Sequence, residues 1–201
     1  MRWLLASMLA LGSAAFAEGA AWQVRSDADG VQLETQEVAG SAYENVRVTC
    51  TSRASPRGFM AALWGKATDS SPSPEVVKRD VLLDEAQERR YYDVVHAPPA
   101  SDRDYVMHER WAEDEGGTIT MHFATLTDER KPITAARVRF GKVAGTATIA
   151  PAPGGGSAIT YVVFTDLGGT IPAWLTRGAQ REAAKKFVLE IRHRAEEGMA
   201  K

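Results

Sequence analysis

The chain has a single cysteine among its 201 residues, and its acidic and basic side chains nearly balance. Because one thiol cannot form an internal disulfide, a fold of this length must be held by the apolar surface that it buries. The formal net charge of −2 gives no basic excess for binding nucleic acid. We therefore expect one domain, at most two, with no nucleic acid as a partner.

Motifs of the common hydrolases and nucleotide enzymes are missing as well. The sequence contains no Gly-x-Ser-x-Gly nucleophile elbow and no His-Glu-x-x-His zinc motif. The glycines 154–156 are not followed by the lysine of a phosphate loop, and no cysteine pair is present to hold zinc. The sequence therefore predicts neither a metal nor a cofactor.

The one marked apolar run lies at the N-terminus. Met1-Arg2 gives a short basic start, residues 3–16 are largely apolar, and Ala15-Phe16-Ala17 is a small-x-small site before Glu18. This order is typical of a secretory signal peptide, and the run is too short to span a bilayer. We predict a signal peptide at residues 1–17 with cleavage after Ala17, a domain at 18–201, and a periplasmic or secreted location.

Alternating apolar residues predict a chain dominated by β-strands. The predicted strands are Val31–Val38, Tyr43–Thr51, Lys78–Asp84, Arg89–His96, Tyr105–Ala112, Thr118–Leu126, Val138–Ile149 and Ala158–Thr165. Helical spacing marks Ser55–Lys66, with Ser55 as N-cap, and Pro172–Glu197. Consecutive strands favour antiparallel pairing, so we predict an α+β fold in which the long C-terminal helix closes a curved sheet around a cavity.

A hairpin flanking Ala97–Arg103 contains the candidate polar site. In one register Arg90 lies near Trp111, and alternation then places Arg90 and Glu109 on the same face. That face is the more aromatic one, so we predict that it points inward. A charge buried alone is costly, so an Arg90–Glu109 ion pair is expected. The pair either satisfies only itself or is a polar anchor in an apolar cavity.

The predicted ligand-binding residues combine this pair with apolar side chains of the strands and the helix. They are Arg90, Tyr92, Val94, Tyr105, Met107, Glu109, Phe123, Val162, Phe164, Trp174, Leu175, Ala179 and Ala183. Ligand pockets are usually roughly 300–1,000 Å³ in volume, and we expect the cavity to fall in that range.

Ordered motifs through the chain resemble one known family. Asp29-Gly30-Val31 follows Trp22, and residues 98–106 contain the pattern P-x-S-x-R-D-Y-V. Pro151, Thr160-Tyr161 and the segment Asp166–Leu175 match a closing pattern P…T…Y…D-x-G-G-x-[IL]-P-x-W-L. Followed by an amphipathic helix, these motifs resemble the START family, the steroidogenic-acute-regulatory-protein-related lipid-transfer domains.

The resemblance implies a helix-grip fold and non-catalytic binding of a lipid such as a sterol, phospholipid or ceramide. It also implies a gate formed by the C-terminal helix and an adjacent loop, which corresponds here to Asp128–Ala136. A monomer that contacts a membrane surface transiently is expected. The small Ala147 stands where the family usually has tryptophan, so the ligand class is not carried over.

Another function fits the same cavity. An enzyme of the related cyclase or hydratase type would act on an aromatic or polyketide-like substrate, with Tyr92, His96, Tyr105 and Glu109 supplying acid–base chemistry. A carrier would copurify with lipid, whereas an enzyme would lose turnover but keep binding in a Glu109→Gln variant. A ligand-sensing role is a third interpretation.

Overall fold

The structure, a computed structural model, describes residues 20–65, 75–98 and 100–200, and the predicted signal peptide lies outside these ranges. The strands of the described residues are β1 (Gln23–Ala28), β2 (Val31–Glu37), β3 (Glu44–Ser52), β4 (Val76–Asp84), β5 (Glu88–Val95), β6 (Arg103–Glu113), β7 (Ile119–Leu126), β8 (Val138–Arg139), β9 (Lys142–Pro151) and β10 (Ser157–Asp166). The helices are α1 (Pro56–Trp64), α2 (Ala173–Glu197) and a short 3₁₀-helix (Gly198–Ala200).

The strands form a single sheet in the order β1-β2-β3-β10-β9-β7-β6-β5-β4. Every neighbouring pair in this order is antiparallel, and the short β8 pairs parallel with the start of β6. The predicted α+β architecture, a curved antiparallel sheet with a long C-terminal helix, is confirmed. The predicted strand Val138–Ile149 is divided into β8 and β9, because the chain leaves the edge of β6 and joins β7 and β10 instead.

A strand that the pattern analysis missed, β1, is joined to β2 by a two-residue turn. Asp29 and Gly30 form this turn, with φ angles of +58° and +69°. Positive φ at both central residues is the geometry of a type I′ hairpin turn, for which Asp-Gly is a preferred sequence. The Asp-Gly pair was therefore a local signal for β1.

The N-terminus of α1 is capped as predicted. The Ser55 side chain accepts a hydrogen bond from the Gly58 backbone N–H, and Pro56 occupies the first helical turn. Pro fits there because the first N–H groups of a helix have no partner within the helix. Phe59, Met60 and Leu63 then point from α1 into the core.

Helix α2 packs on the sheet through an apolar face in its second half, and only its first half differs from the prediction. Its buried stripe runs through Ala184, Val188, Ile191 and Ala195, which join the core with residues of the sheet. We call the side of the sheet that shares this core the helix side, and the opposite side the outer side.

The first half of α2 explains why the apolar pattern was misleading. The buried stripe, extended back at three- and four-residue steps, passes through Arg181 and Arg177, so this half of the docking face is polar. Arg181 forms an ion pair with Glu44, and Arg177 donates hydrogen bonds to the Ala42 carbonyl. The predicted inward residues of this half are instead exposed: Trp174, Leu175, Ala179 and Ala183.

The packing of the helix side can be tested at Gly145, where two strands approach closely. A Cβ atom at Gly145 would collide with the Val162 carbonyl and the Phe123 ring. We expect Gly145→Ala to lower the free energy of unfolding by about 1–3 kcal/mol, the usual cost of overpacking. Gly178→Ala is the matched control, because a Cβ there meets nothing within 4 Å. Because alanine favours helix more than glycine does, Gly178→Ala should raise the free energy of unfolding by up to ~1 kcal/mol. Urea titrations of both variants measure these changes, and equal effects would contradict the packing described.

Candidate functional site

The register of β5 against β6 decides which side chains face α2. Arg89 pairs with Glu109, Tyr91 with Met107 and Asp93 with Tyr105. This register differs by three residues from the expected one, and an odd shift turns every side chain of β5 to the other side of the sheet. The expected Arg90–Glu109 ion pair is therefore wrong. Arg90 lies on the outer side, with its guanidinium 3.6 Å from the carboxylate of Asp128.

Both sides of β5 are buried, which is why the bulk of its side chains could not identify the inward side. On the outer side Tyr92, Val94 and Val106 form a small core of their own, against which Leu82 and Leu126 pack. Large side chains are therefore found on both sides of β5, and their size does not indicate which side faces α2. The charged residues distinguish the sides, because only the observed register places Arg89 opposite Glu109.

The helix side of β4–β6 carries a group of paired charges that we call the inner ionic cluster: Arg79, Arg89, Tyr91, Asp93, Tyr105 and Glu109. Arg79 donates to both oxygens of Asp93 at 2.7 and 2.6 Å, and the Tyr105 hydroxyl donates to the same carboxylate at 2.9 Å. Arg89 donates to Glu109, whose other oxygen accepts from the Tyr91 hydroxyl at 2.7 Å.

The two arginines of the inner ionic cluster are also stacked on aromatic rings. The guanidinium carbon of Arg79 lies 4.1 Å from the centre of the Tyr91 ring, and that of Arg89 lies 4.3 Å from the Trp64 ring. Arg89 further donates to the Trp64 carbonyl oxygen. Asp93 is fully buried, and Arg89 and Glu109 are nearly so. Two cations and two carboxylates therefore form a closed set without net charge.

Burial keeps the tyrosines of this cluster protonated. Burial raises the pKa of Tyr91 well above its ordinary value, and the charge of Glu109 raises it further. Burial and the neighbouring carboxylate of Asp93 raise the pKa of Tyr105 in the same way. Each hydroxyl is thus a hydrogen-bond donor to a carboxylate and has little tendency to ionise.

Four predicted ligand residues lie on the helix side: Tyr105, Met107, Glu109 and Phe123. Phe123 stacks on Tyr161 with ring centres 5.6 Å apart, and Tyr161 contacts Phe187 of α2. Ala147 is buried between Met121 and Tyr161 in the sheet. The role of these residues in ligand binding stays a prediction.

Five other predicted ligand residues belong to the outer side by strand alternation: Arg90, Tyr92, Val94, Val162 and Phe164. Pattern reasoning missed Arg79, Arg89, Tyr91 and Asp93. Arg89 and Asp93 are four residues apart and so share a side with Tyr91. This spacing was the available signal, but a charged pair on a strand is equally compatible with a solvated face.

The loop predicted to gate the cavity is tied to the outer side. Lys131 forms an ion pair with Asp80 and lies 4.9 Å from the centre of the Tyr92 ring. Just beyond the loop, Arg139 donates to Asp104 at 2.6 Å, and the Tyr92 hydroxyl donates to the same carboxylate at 2.8 Å. The charge of Lys131 is thus paired within the protein.

An open groove of about 670 Å³ lies at the start of α2. Its lining includes Tyr43, Lys142, Phe164, Asp166, Ile171 and Pro172. Trp174 and Leu175 follow immediately in the helix and are 73% and 57% exposed. The groove therefore has an apolar rim on the helix and an acidic and a basic residue in its wall.

Two further observations on the described residues concern metal ions and membrane spans. They contain no group of three or more His, Cys, Asp or Glu side chains that could hold a metal ion. No helix among them is long and apolar enough to cross a membrane.

A comparison with protein families matches residues 63–197 to the START domain. The chain belongs to the START domain family. This START domain is 26% identical to an uncharacterized protein of Pseudomonas aeruginosa, over 96% of this chain and 95% of that protein. The crystal structure of the STAR-related lipid transfer protein of Xanthomonas axonopodis is 25% identical, with a TM-score of 0.76 over 87% of this chain and 98% of that one.

Human STARD10 shares the fold of this START domain with a TM-score of 0.74 and 16% identity, over 87% of this chain and 72% of that one. The sheet and the long C-terminal helix are those of the helix-grip fold. Membership of this family and its fold support the binding of a ligand in a cavity.

A double-mutant cycle tests whether the inner ionic cluster is a closed set. Arg89→Met or Glu109→Leu alone should lower the free energy of unfolding by roughly 3–5 kcal/mol, because each leaves one buried charge without its partner. The double variant should be more stable than either single one, as measured by urea unfolding. Arg57→Met is the control, since the Arg57–Glu113 pair is exposed on its cationic side and should matter little. Strictly additive losses would show that Arg89 and Glu109 are not coupled.

Proposed function

We propose that this START domain binds one lipid-like ligand without altering it and carries it between membranes. The observation that carries this proposal is the inner ionic cluster, a neutral polar group set among aromatic side chains on the helix side of the sheet. Sites for apolar ligands combine apolar walls with a few polar groups of this kind. Such a cluster can orient a hydroxyl or carbonyl group of a ligand, since it needs no charge from the ligand to balance it.

The same cluster favours binding over acid–base catalysis. A general base needs a lone pair that is free to accept the substrate's proton. Glu109 and Asp93 are each engaged by one arginine and one tyrosine, and the tyrosine hydroxyls are held protonated by burial. These groups hold one another in place, which suits a binding wall better than a reacting centre.

Membrane contact through the start of α2 is part of the proposal. Trp174 and Leu175 are large apolar side chains exposed beside the open groove. Trp is favoured at membrane–water interfaces, where its ring meets the chains and its N–H meets the head groups. Arg177 and Arg181 are bonded within the protein, so the contact that we propose is mainly apolar. The predicted signal peptide supports a periplasmic or extracellular location for this activity.

Native mass spectrometry with lipid extraction tests the proposed function. Protein purified without detergent should retain a lipid at one molecule per chain, and it should be recovered chemically unchanged after incubation. Failure to retain any lipid, together with no binding of fluorescent fatty-acid or phospholipid probes, would exclude a carrier. Turnover of an aromatic substrate would instead support the alternative function, an enzyme of the cyclase or hydratase type.

Removing the exposed apolar residues of α2 should slow lipid transfer. Burying a Trp or Leu side chain contributes roughly 1.5–3 kcal/mol, so we expect Trp174→Ala with Leu175→Ala to slow transfer between vesicles about tenfold or more. Binding of a soluble lipid probe should not change. Met199→Ala is the control, because Met199 is 60% exposed beyond the far end of α2. Transfer at the rate of the unchanged protein would rule out this contact.

A further inference from the structure

Arg103 is a buried arginine to which the described part of the chain supplies no carboxylate within ion-pair distance. It is 3% exposed and donates one hydrogen bond, from Nη1 to the Ser101 carbonyl at 2.6 Å. Its Nε is buried without a hydrogen-bond partner among the described residues. A guanidinium has five N–H donors and a fixed positive charge, so a carbonyl oxygen leaves that charge unbalanced.

Nearby arginines show what a balanced site in this protein is like. Arg79 is paired with Asp93, Arg89 with Glu109 and Arg139 with Asp104. A buried charge without a partner is destabilising by several kcal/mol, so proteins rarely keep one without a use for it. Arg103 therefore differs from its neighbours in lacking a negative partner in this part of the chain.

Arg103 lies on the helix side of the sheet, and its charge influences one residue of the groove at the start of α2. Strand alternation puts Arg103 on the side of Tyr105, Met107 and Glu109, at the end of β6 that pairs with β8. Tyr43 lines the groove, and its pKa is raised by burial and by Asp166 but lowered by the charge of Arg103. The charge of Arg103 is therefore felt at the Tyr43 hydroxyl.

The acidic residue of the groove does not neutralise this charge. An oxygen of Asp166 accepts a hydrogen bond from the Gly168 backbone N–H at 2.8 Å, within the turn that leads to α2. Among the described residues, no nitrogen of Arg103 lies within 4.0 Å of a carboxylate oxygen of Asp166. An anionic group of a ligand would supply the negative partner that Arg103 lacks among the described residues.

We propose that Arg103 anchors the anionic head group of an amphiphilic ligand, a carboxylate or a phosphate, that enters through the groove. This inference rests on the proposed function and narrows its ligand class. A guanidinium binds carboxylate and phosphate through two parallel hydrogen bonds, and such bonds are stronger in a buried site. The head group would lie at Arg103, and its chain would extend along the apolar helix side.

Matched anionic and neutral probes test the charge of the ligand. Dissociation constants of delipidated protein are measured for oleate and oleyl alcohol, and for dioleoyl phosphatidic acid and dioleoylglycerol. We expect at least one anionic probe to bind tenfold or more tightly than its neutral partner, and the preferred pair identifies carboxylate or phosphate. Inorganic phosphate alone should not compete with the preferred probe at similar concentration. Competition of equal strength would indicate a free-anion site and overturn the assignment to a head group.

Variants of Arg103 show whether this residue gives the preference. Arg103→Gln should remove the tenfold preference and leave the affinity for the neutral probe unchanged, while Arg103→Lys should keep part of it. Arg47→Gln is the control, because Arg47 is a half-buried arginine of β3 that is paired with Glu34 of β2, away from β6. Equal loss for both probes in Arg103→Gln would mean a structural role and overturn the inference.

Thermal unfolding supplies a readout that does not need the ligand. Delipidated Arg103→Gln should melt at or above the temperature of the unchanged protein, because it removes an unbalanced buried charge, whereas Arg79→Gln should melt lower because it strands Asp93. A melting temperature lowered as far as in Arg79→Gln would show that Arg103 is paired within the chain.

The possible failures of the two proposals are distinguishable. Equal binding of anionic and neutral probes to the unchanged protein would overturn the role of Arg103 and leave a lipid carrier standing. Binding of neither class would overturn both. If Arg103→Gln does not fold, the preference for the anionic probe is compared between Arg103→Lys and the unchanged protein. The lysine variant keeps the charge but loses the paired hydrogen bonds, so a reduced preference would support the role of Arg103 and an unchanged one would overturn it.

Discussion

The pairing of buried charges across β4, β5 and β6 is the constraint on which the helix side of this domain depends. Arg89 meets Glu109 and Arg79 meets Asp93 in a region from which water is largely excluded. A shift of β5 by one residue would send Arg89 and Asp93 to the other side of the sheet, away from their partners. The cost of a stranded buried charge is several kcal/mol, which is comparable with the whole stability of a domain.

The hydrophobic pattern alone does not set this register, because β5 is covered on both sides. Its outer side packs against a loop that is held by Lys131 on Asp80 and followed by Arg139 on Asp104. Movement of that loop must break ion pairs in a half-buried site. The start of α2 follows two glycines with positive φ, Gly168 and Gly169, and is bordered by the open groove. The ligand path that we propose therefore runs beside the helix start.

Helix α2 combines two kinds of docking that serve different purposes. Its second half is buried through small and branched apolar residues, and Glu196 near its end accepts hydrogen bonds from Ser52 and from the Arg53 backbone. Its first half is held by the arginines at 177 and 181, which leaves Trp174 and Leu175 facing solvent. A helix held by polar bonds at one end and an apolar core at the other can present apolar residues to a membrane without losing its place on the sheet.

The amino-acid sequence by itself determined most of the elements, the Ser55 cap, the antiparallel sheet with its closing helix and the family. These follow from local patterns and from motifs that are contiguous in the chain. Only the tertiary structure decided which side of β5 faces α2, which face of the first half of α2 docks, and that the arginine of the R-D-Y motif, Arg103, has no carboxylate partner among the described residues. The physical reason is that each depends on distant partners: Arg181 meets Glu44 137 positions away, and a strand buried on both sides keeps the same alternation in either register.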